Sequence, residues 1–414
     1  MLEDVFVDPA AVQRRRSCIL GVHLDAFCSR LAELGYSGPT IRHKVWIVGD
    51  LARWMADEQV EIGDLDERRV MRFVEERRQR DRTCRAFKRT ALQFIAQLRA
   101  TGVLRSPEPA RDDSPTSALL WRYEQYLRRE RGITQSTTAA YRPFVRAFVV
   151  ECLADGATRP DALCAGGIRE FLLARVRRMA PRRAQFMATA LRSFLRFLFL
   201  RAETAVDLSR AVPTVRQWRF SGVPRHVSAA DVERLLRACD RSSATGRRDH
   251  AILMLLARLG LRASEVLSLD LGDLRWREGE IVVRGKGMVR DRLPLLPDVG
   301  AALALYLKKD RPVGTSRRVF VCRKAPHRGF SHPSSVSTIV ERAFVRAGLA
   351  PAMRGAHTLR HSLATAMIRR GASLAEIGEV LRHRSPATTE IYAKLDFGAL
   401  RDVALPWPVA GGGR

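Results

Sequence analysis

The sequence predicts a mainly α-helical protein with one small β element (α+β), laid out as two helical domains followed by a larger third that carries the β element. Three observations predict this. Apolar residues recur at helical spacing through most of the chain, and two proline-bearing stretches interrupt the pattern. A single run, Gly279-Glu280-Ile281-Val282-Val283-Arg284, has strand character and leads into Gly285-Lys286-Gly287. At 414 residues the chain is too long for one small core, which agrees with two or three domains.

The first break is Ser106-Pro107-Glu108-Pro109-Ala110-Arg111-Asp112-Asp113-Ser114-Pro115; the second lies around Pro213, Gly222 and Pro224. They divide the chain into a helical domain at 1–105, a linker at 106–115, a helical domain at 116–210, a linker at 211–224 and a third domain at 225–414 with a C-terminal tail. The first two domains read as distant copies of one unit. Ser37-Gly38-Pro39-Thr40-Ile41 opens a helical pattern, as Thr134-Gln135-Ser136-Thr137-Thr138 does later. Phe73-Val74-Glu75-Glu76-Arg77 parallels Phe171-Leu172-Leu173-Ala174-Arg175, and Thr90-Ala91-Leu92 parallels Thr189-Ala190-Leu191. Chance likeness between amphipathic helices is the alternative.

In the second domain Phe194, Leu195, Leu198 and Phe199 form one apolar stripe, with Arg182, Arg183, Arg192 and Arg196 off it. A basic helical domain of this kind suits a DNA clamp; a solvated charged face is the plainer reading. The third domain opens on a capping box, Ser228 with Asp231, ahead of Val232, Leu235, Leu236 and Cys239. A second helix carries Ile252, Leu255, Leu256 and Leu259. The strand at 279–284 turns at Gly285-Lys286-Gly287 and returns through Arg290 to Leu295. Helices then resume: one opens at His357 and ends at Gly371, one is capped by Ser373 and Glu376, and a short one starts at Ser385-Pro386.

Lys and Arg number 72 against 44 Asp and Glu, a formal net charge of +28. Codon bias can exchange lysine for arginine, but it does not produce such an excess of cations, so a polyanionic partner is expected. Seven cysteines are scattered, without a C-x-x-C pair or Cys/His ligand spacing; this disfavours structural zinc and fits a reducing compartment. The N-terminus Met1-Leu2-Glu3-Asp4 is acidic, unlike a secretory leader, and the apolar runs are too short to span a bilayer. The expectation is a cytoplasmic protein.

Six residues of the third domain form a chemically coherent set: Arg262, Lys286, His357, Arg360, His383 and Tyr392. Two arginines can grip phosphate oxygens through planar forks and never deprotonate. Lys286, between two glycines on a hairpin, offers a titratable ammonium in a protein that otherwise uses arginine. His357 and Arg360 are three apart on one helix, His383 falls at a helix junction, and Tyr392 offers a phenol. Glu265 shares the neighbourhood of Arg262, and His361 has a supporting or structural role. Singly, each has a plainer reading: Arg262 as an ion pair with Glu265, Lys286 as a turn lysine, Tyr392 as a half-buried anchor. The conjunction is what is specific.

That conjunction resembles the tyrosine recombinases (phage integrase family). It rests on Leu261-Arg262-Ala263-Ser264-Glu265, Gly285-Lys286-Gly287, His357-Thr358-Leu359-Arg360-His361-Ser362, and His383-Arg384-Ser385 leading to Tyr392. The likeness covers roughly 225–400; residues 116–210 look like the family's core-binding (SAM-like) domain. The first hundred residues are less typical, an added DNA-binding or oligomer-contact unit. Arg382 stands where the family often has glycine, which is expected to alter a helix end rather than the chemistry. Leu259 likewise replaces the usual Thr or Ser, outside the catalytic set.

The resemblance implies that Tyr392 attacks a backbone phosphorus to give a 3′-phosphotyrosyl link and a free 5′-hydroxyl. Arg262 and Arg360 would stabilise the transition state, Lys286 protonate the leaving oxygen, His357 handle the tyrosine proton, and His383 donate a hydrogen bond to the phosphate. Because the covalent link conserves the phosphodiester, no cofactor and no metal are implied. The implied partners are double-stranded DNA and three further copies of the chain, as a homo-tetramer on paired sites, with companion recombinases open. The apolar tail series Phe397, Leu400, Val403 and Leu405 packs either on a neighbouring subunit or back on its own domain. The extra N-terminal unit points to a mobile-element enzyme serving integration or transposition. A type IB-like topoisomerase and a non-catalytic DNA-binding protein of the same fold are the alternatives.

Overall fold

In a computed structural model of the chain the described residues are 2–80, 85–105, 114–153, 160–215, 225–285, 289–350 and 355–395. Most of both expected linkers, Lys286 and Gly287, and the tail beyond 395 lie outside them. The protein is mainly helical with one three-stranded sheet. It divides into two compact units, one of Met1–Ser106 together with Gly222–Arg414, the other of Pro107–Ser221.

The N-terminal part of the first unit holds α1 (Pro9–Arg16), α2 (Leu24–Glu33), α3 (Gly38–Asp57), α4 (Glu67–Arg80) and α5 (Arg85–Ala100). Local chemistry sets their ends: Asp8 caps α1 by accepting from the Ala10 N–H, and Pro39 occupies the first turn of α3. These helices close over their own core, which includes Phe27, Val45, Val48, Leu51, Phe73, Phe94 and Leu98. Each such side chain contributes about 1.5–3 kcal/mol by leaving water.

The second unit holds α6 (Pro115–Gln125), α7 (Gln135–Cys152), α8 (Ala165–Val176) and α9 (Pro181–Leu200). Ser114 caps α6 and Thr134 caps α7 through side-chain oxygens. The stripe expected on α9 is buried at Phe194, Leu195 and Leu198; Phe199, one step round, is 40% exposed.

The C-terminal part of the first unit runs through α10 (Ala229–Arg237), α11 (Ala244–Arg258), α12 (Ala263–Ser268), β1 (Leu274–Arg275), β2 (Glu280–Arg284), β3 (Arg290–Pro294), α13 (Pro297–Lys309), α14 (Ser334–Arg346), α15 (Ala356–Arg369), α16 (Leu374–Val380) and α17 (Pro386–Thr389). A 3-10 turn, Glu390–Leu395, follows. The strands pair antiparallel in the order β1-β2-β3, with Ile281 opposite Leu293 and Val283 opposite Asp291. Ser228 caps α10, and Ser373 and Glu376 form a complete capping box on α16. Helix α11 is buried at every residue from Ala251 to Ala257 and is the centre of the main core. A small separate cluster gathers Ala364, Ile377, Leu381 and Tyr392. Helix α15 belongs to both, through Leu359 in the main core and Ala364 in the small one. The candidate site lies along that helix.

Candidate active site

Helix α11 stops at Leu259, and Gly260 turns the chain at φ +57°. A side chain there would meet the Leu381 Cδ2 at 2.7 Å and the Leu363 Cδ2 at 3.1 Å, so glycine both permits the turn and lets α15 and the end of α16 approach. Two residues on, Arg262 takes the N-cap position of α12. Its backbone N–H donates to Glu265 Oε2 (2.8 Å) and its Nη1 donates to Glu265 Oε1 (2.6 Å). The i,i+3 pairing expected from sequence is therefore present. Its carboxylate is 2% exposed, while the Arg262 side chain keeps 34% of its surface open.

Arg360, on α15, is only 3% exposed. Its Nη1 donates to the Gly260 carbonyl and its Nη2 to the Leu381 carbonyl, so one guanidinium ties the ends of α11 and α16 together. Burial, with repulsion from Arg262 and Arg382, pulls its pKa down to about 10. Cations thus crowd together with one buried carboxylate between them. Burial opposes ionisation of Glu265, but the Arg262 N–H, the Arg382 charge and the Arg262 side chain hold its pKa below the ordinary carboxylate value.

The third guanidinium was not expected to reach the site. Arg382 follows α16 at φ +56°, a left-handed conformation that suits glycine, which explains why glycine is favoured there. Its Nη2 donates to Glu265 Oε2 at 2.9 Å, with both side chains buried. Arg382 therefore ends a helix, as expected, and also holds the carboxylate that holds Arg262. The two residues are 117 positions apart, so no local pattern pairs them.

Tyr392 lies in the 3-10 turn and is 1% exposed. Its hydroxyl is 2.7 Å from His361 Nδ1, and its ring stacks on His383 with centroids 6.5 Å apart and planes 4° off parallel. Burial pushes the phenol up to about 12, and the positive charges of Arg360 and Arg262 oppose that rise. His361, given only a supporting role from sequence, is thus the imidazole placed against the phenol. Burial, then repulsion from His357 and Arg360, pushes its pKa down to about 4, so the ring is neutral near pH 7 and able to accept a proton. His383 Nδ1 is 2.8 Å from Thr389 Oγ1, which fixes the ring, and burial followed by the charges of Arg360 and Arg262 lowers it to about 4. His357 is exposed on the first turn of α15, its ring 6.3 Å from that of His361. Arg360, three residues on, is buried, so the two differ in access to solvent although their spacing puts them on adjacent turns. Lys286 lies outside the described residues; the strands on either side of its turn, β2 and β3, form the expected hairpin.

The arrangement brings a phenol, three imidazoles and three guanidiniums together at the junction of the two cores. Among the described residues no three His, Cys, Asp or Glu side chains gather as metal ligands would, and no helix is long and apolar enough to cross a membrane.

Residues 225–398 match the phage integrase family. The chain is 40% identical over 390 residues to the putative integrase/recombinase y4rA of Sinorhizobium fredii, covering 94% of this chain and 95% of that one. It is 31% identical to the tyrosine recombinase XerD of Listeria monocytogenes over 66% of this chain and 93% of the relative. Among solved structures, XerH bound to a palindromic difH substrate aligns with TM-score 0.55 and 19% identity, over 71% of this chain and 97% of that one. A lambda integrase tetramer bound to a Holliday junction aligns with TM-score 0.50 and 20% identity, over 80% of this chain and 90% of that one. These structural likenesses show the fold. The chain belongs to the phage integrase family and is an integrase/recombinase of the tyrosine recombinase type.

Proposed function

We propose that Tyr392 is the nucleophile of this recombinase and that it cuts and rejoins DNA strands through a 3′-phosphotyrosyl intermediate. The observation that carries this is the packing of one phenol against His361 and His383, in the field of the Arg360 and Arg262 guanidiniums. The phenol must lose its proton to attack phosphorus. Neutral His361, with its own proton on Nε2, accepts the phenol's hydrogen bond at Nδ1 and is placed to take that proton.

The Tyr392 oxygen forms a bond to phosphorus, and the bond from phosphorus to the 5′-oxygen of the next nucleotide breaks. Arg262 and Arg360 neutralise the charge that develops on the non-bridging oxygens, the kind of stabilisation that dominates many enzymatic rate enhancements. His383 donates to the same oxygens, and His357, exposed at the start of α15, contacts the phosphate. Lys286 supplies the proton to the departing 5′-oxygen, a role resting on its hairpin position and on the family resemblance. The reverse sequence rejoins a strand, with the phosphotyrosine as leaving group.

The DNA-bound dimers and tetramers among proteins of this fold support a tetramer on paired sites. The added N-terminal helices and the relation to a putative integrase/recombinase over nearly the whole length support service to a mobile element.

The test is a nicked duplex that traps the covalent intermediate, resolved on a denaturing gel. Intact protein forms a protein–DNA adduct. Tyr392→Phe binds the duplex and forms none. An adduct that persists in Tyr392→Phe assigns the nucleophile elsewhere, and binding without any adduct from intact protein leaves the chain a DNA-binding protein.

A further inference from the structure

The N-terminal helices repeat the second unit at the level of buried positions. Leu24 and Phe27 of α2 correspond to Leu120 and Tyr123 of α6, and Leu31 to Leu127 in the π-helical turn Tyr126–Glu130 that follows α6, all 96 residues on. In α3 and α7, Ile41, Val48, Leu51 and Ala52 correspond to Thr138, Val145, Phe148 and Val149, 97 on. In α4 and α8, Val70, Phe73 and Val74 correspond to Ile168, Phe171 and Leu172, 98 on. In α5 and α9, Ala91, Phe94, Ile95 and Leu98 correspond to Leu191, Phe194, Leu195 and Leu198, 100 on, one residue further than the pairing of Thr90 with Thr189 expected from sequence. All of these are buried, and the offset grows by one or two per connection, as small turn insertions produce. The first and last helices even meet through the same edge-to-face ring pair: Phe27 on Phe94 at 5.0 Å and 83°, Tyr123 on Phe194 at 5.2 Å and 82°.

Charge is segregated on the repeated frame. Residues 1–106 hold nineteen Lys and Arg against fifteen Asp and Glu, nearly balanced. Yet α5 carries four cations and no carboxylate, and α3 has no carboxylate before Asp50. In the second unit α9 is likewise free of carboxylates, and α7 has none before Glu151. Where α3 meets α5, Arg42, His43, Lys88 and Arg89 are exposed beside Trp46, itself 45% exposed, with Phe87 edge-on to it at 5.7 Å. Beneath this face Lys44 is 6% exposed and donates to neutral groups, Gln93 Oε1 at 2.8 Å and Thr90 Oγ1 at 3.3 Å. Burial and then the Arg89 charge pull its pKa down to about 8. An anion above the face would relieve that repulsion.

We infer that the face formed by the first half of α3 and the start of α5 is a second duplex-DNA contact, engaging backbone phosphates outside the segment held by the rest of the chain. The inference rests on the proposed reading of the chain as a DNA-cutting recombinase. Cations here set affinity and register rather than sequence choice.

The test is fluorescence-anisotropy titration of the full chain against a long random-sequence duplex, over a series of salt concentrations. Arg42→Gln/Lys88→Gln/Arg89→Gln is compared with Arg14→Gln/Arg30→Gln/Arg68→Gln, which removes three exposed cations from α1, α2 and α4 of the same N-terminal part. Removing three phosphate contacts lowers the slope of log K against log salt by about 2 to 3 and weakens binding at least tenfold; the control triple leaves the slope unchanged. An unchanged slope in the α3/α5 triple, or equal losses in both, overturns the inference. Failure of the intact protein to bind the duplex at all sinks the recombinase reading with it. Hydrogen exchange on the unsubstituted chain does not depend on how the variants fold. Added duplex slows exchange across α5; slowing that instead follows protein concentration without DNA marks a self-contact and overturns the inference.

Discussion

Arg382 gives the sharpest test of how the site is held, because its backbone and its side chain pull in opposite directions. Replacing it by glycine relieves a left-handed φ of +56°, worth about 1 kcal/mol. The same change removes the 2.9 Å bond to Glu265. Taking one partner from a buried pair costs about 3–5 kcal/mol when the other charge is left alone. Glu265 is not left alone: Arg262 still gives it two hydrogen bonds, so a loss of about 1–3 kcal/mol is expected. Arg382 Nε is buried without a hydrogen-bond partner, and its removal returns part of that cost. The balance is a stability change of about 0–2 kcal/mol, a few degrees in melting temperature at most for a chain this long.

The effect on chemistry is expected to be larger. Without Arg382 the turn carrying Leu381 and His383 is no longer tied to the carboxylate that orients Arg262. In single-turnover adduct formation at saturating DNA, Arg382→Gly should be at least tenfold slower, with DNA affinity nearly unchanged. Millimolar guanidinium, filling the vacated space, should restore part of the rate. Arg382→Asn, which tolerates the same backbone conformation, should match the glycine variant. A wild-type cleavage rate in a well-folded Arg382→Gly would refute the reasoning and leave Arg382 as a helix terminator only.

Gly260→Ala should destabilise the protein by about 1–3 kcal/mol in urea melts, because the new methyl meets Leu381 at 2.7 Å on a positive φ; a neutral result would mean that the end of α16 gives way freely. Arg360→Ala should cost about 2–5 kcal/mol and abolish adduct formation, since it strips hydrogen bonds from two carbonyls as well as removing the cation; retained cleavage would contradict its role. His250, His361 and His383 all sit at about 4, chiefly through burial. Their unfolded value is about 6.5, so the unfolded chain binds more protons between those limits, and stability should fall as pH drops through that window, by at most about 1.4 kcal/mol per pH unit for each ring and less where water reaches it. Urea midpoints equal at pH 7 and pH 5 would exclude this. His361→Ala should slow adduct formation more at pH 6 than at pH 9, where the phenol ionises more readily unaided; a pH-independent loss would assign His361 a packing role.

What the sequence discloses and what it hides follows from the range of the interactions. The caps at Ser228 and Ser373, the turn at Gly371 and the β2–β3 hairpin are written in adjacent residues, and the structure has them. Two-residue β1 is too short to carry a periodic signal and exists because it pairs with β2. That Arg262, Arg360, His383 and Tyr392 form one set was legible because their residue types limit the chemistry they can share, and the structure brings them together. Their partners were not: Arg360 bonds carbonyls 100 and 21 positions away, and Arg382 reaches back across 117. Which of His357 and His361 meets the phenol was hidden for another reason. Both lie on one helix, and only the packing of the turn that carries Tyr392 decides which ring meets the phenol.

Tyr392 is also one of the four buried side chains of the small C-terminal cluster. At 1% exposure it touches no solvent-borne phosphate while it stays there. On the proposed role of Tyr392, attack on a strand withdraws a structural pillar from the region that carries it, and a cluster this small loosens at modest expense. On that reading the resting fold disarms the enzyme, and DNA that reaches the site has to compete with a hydrophobic nest for possession of the tyrosine.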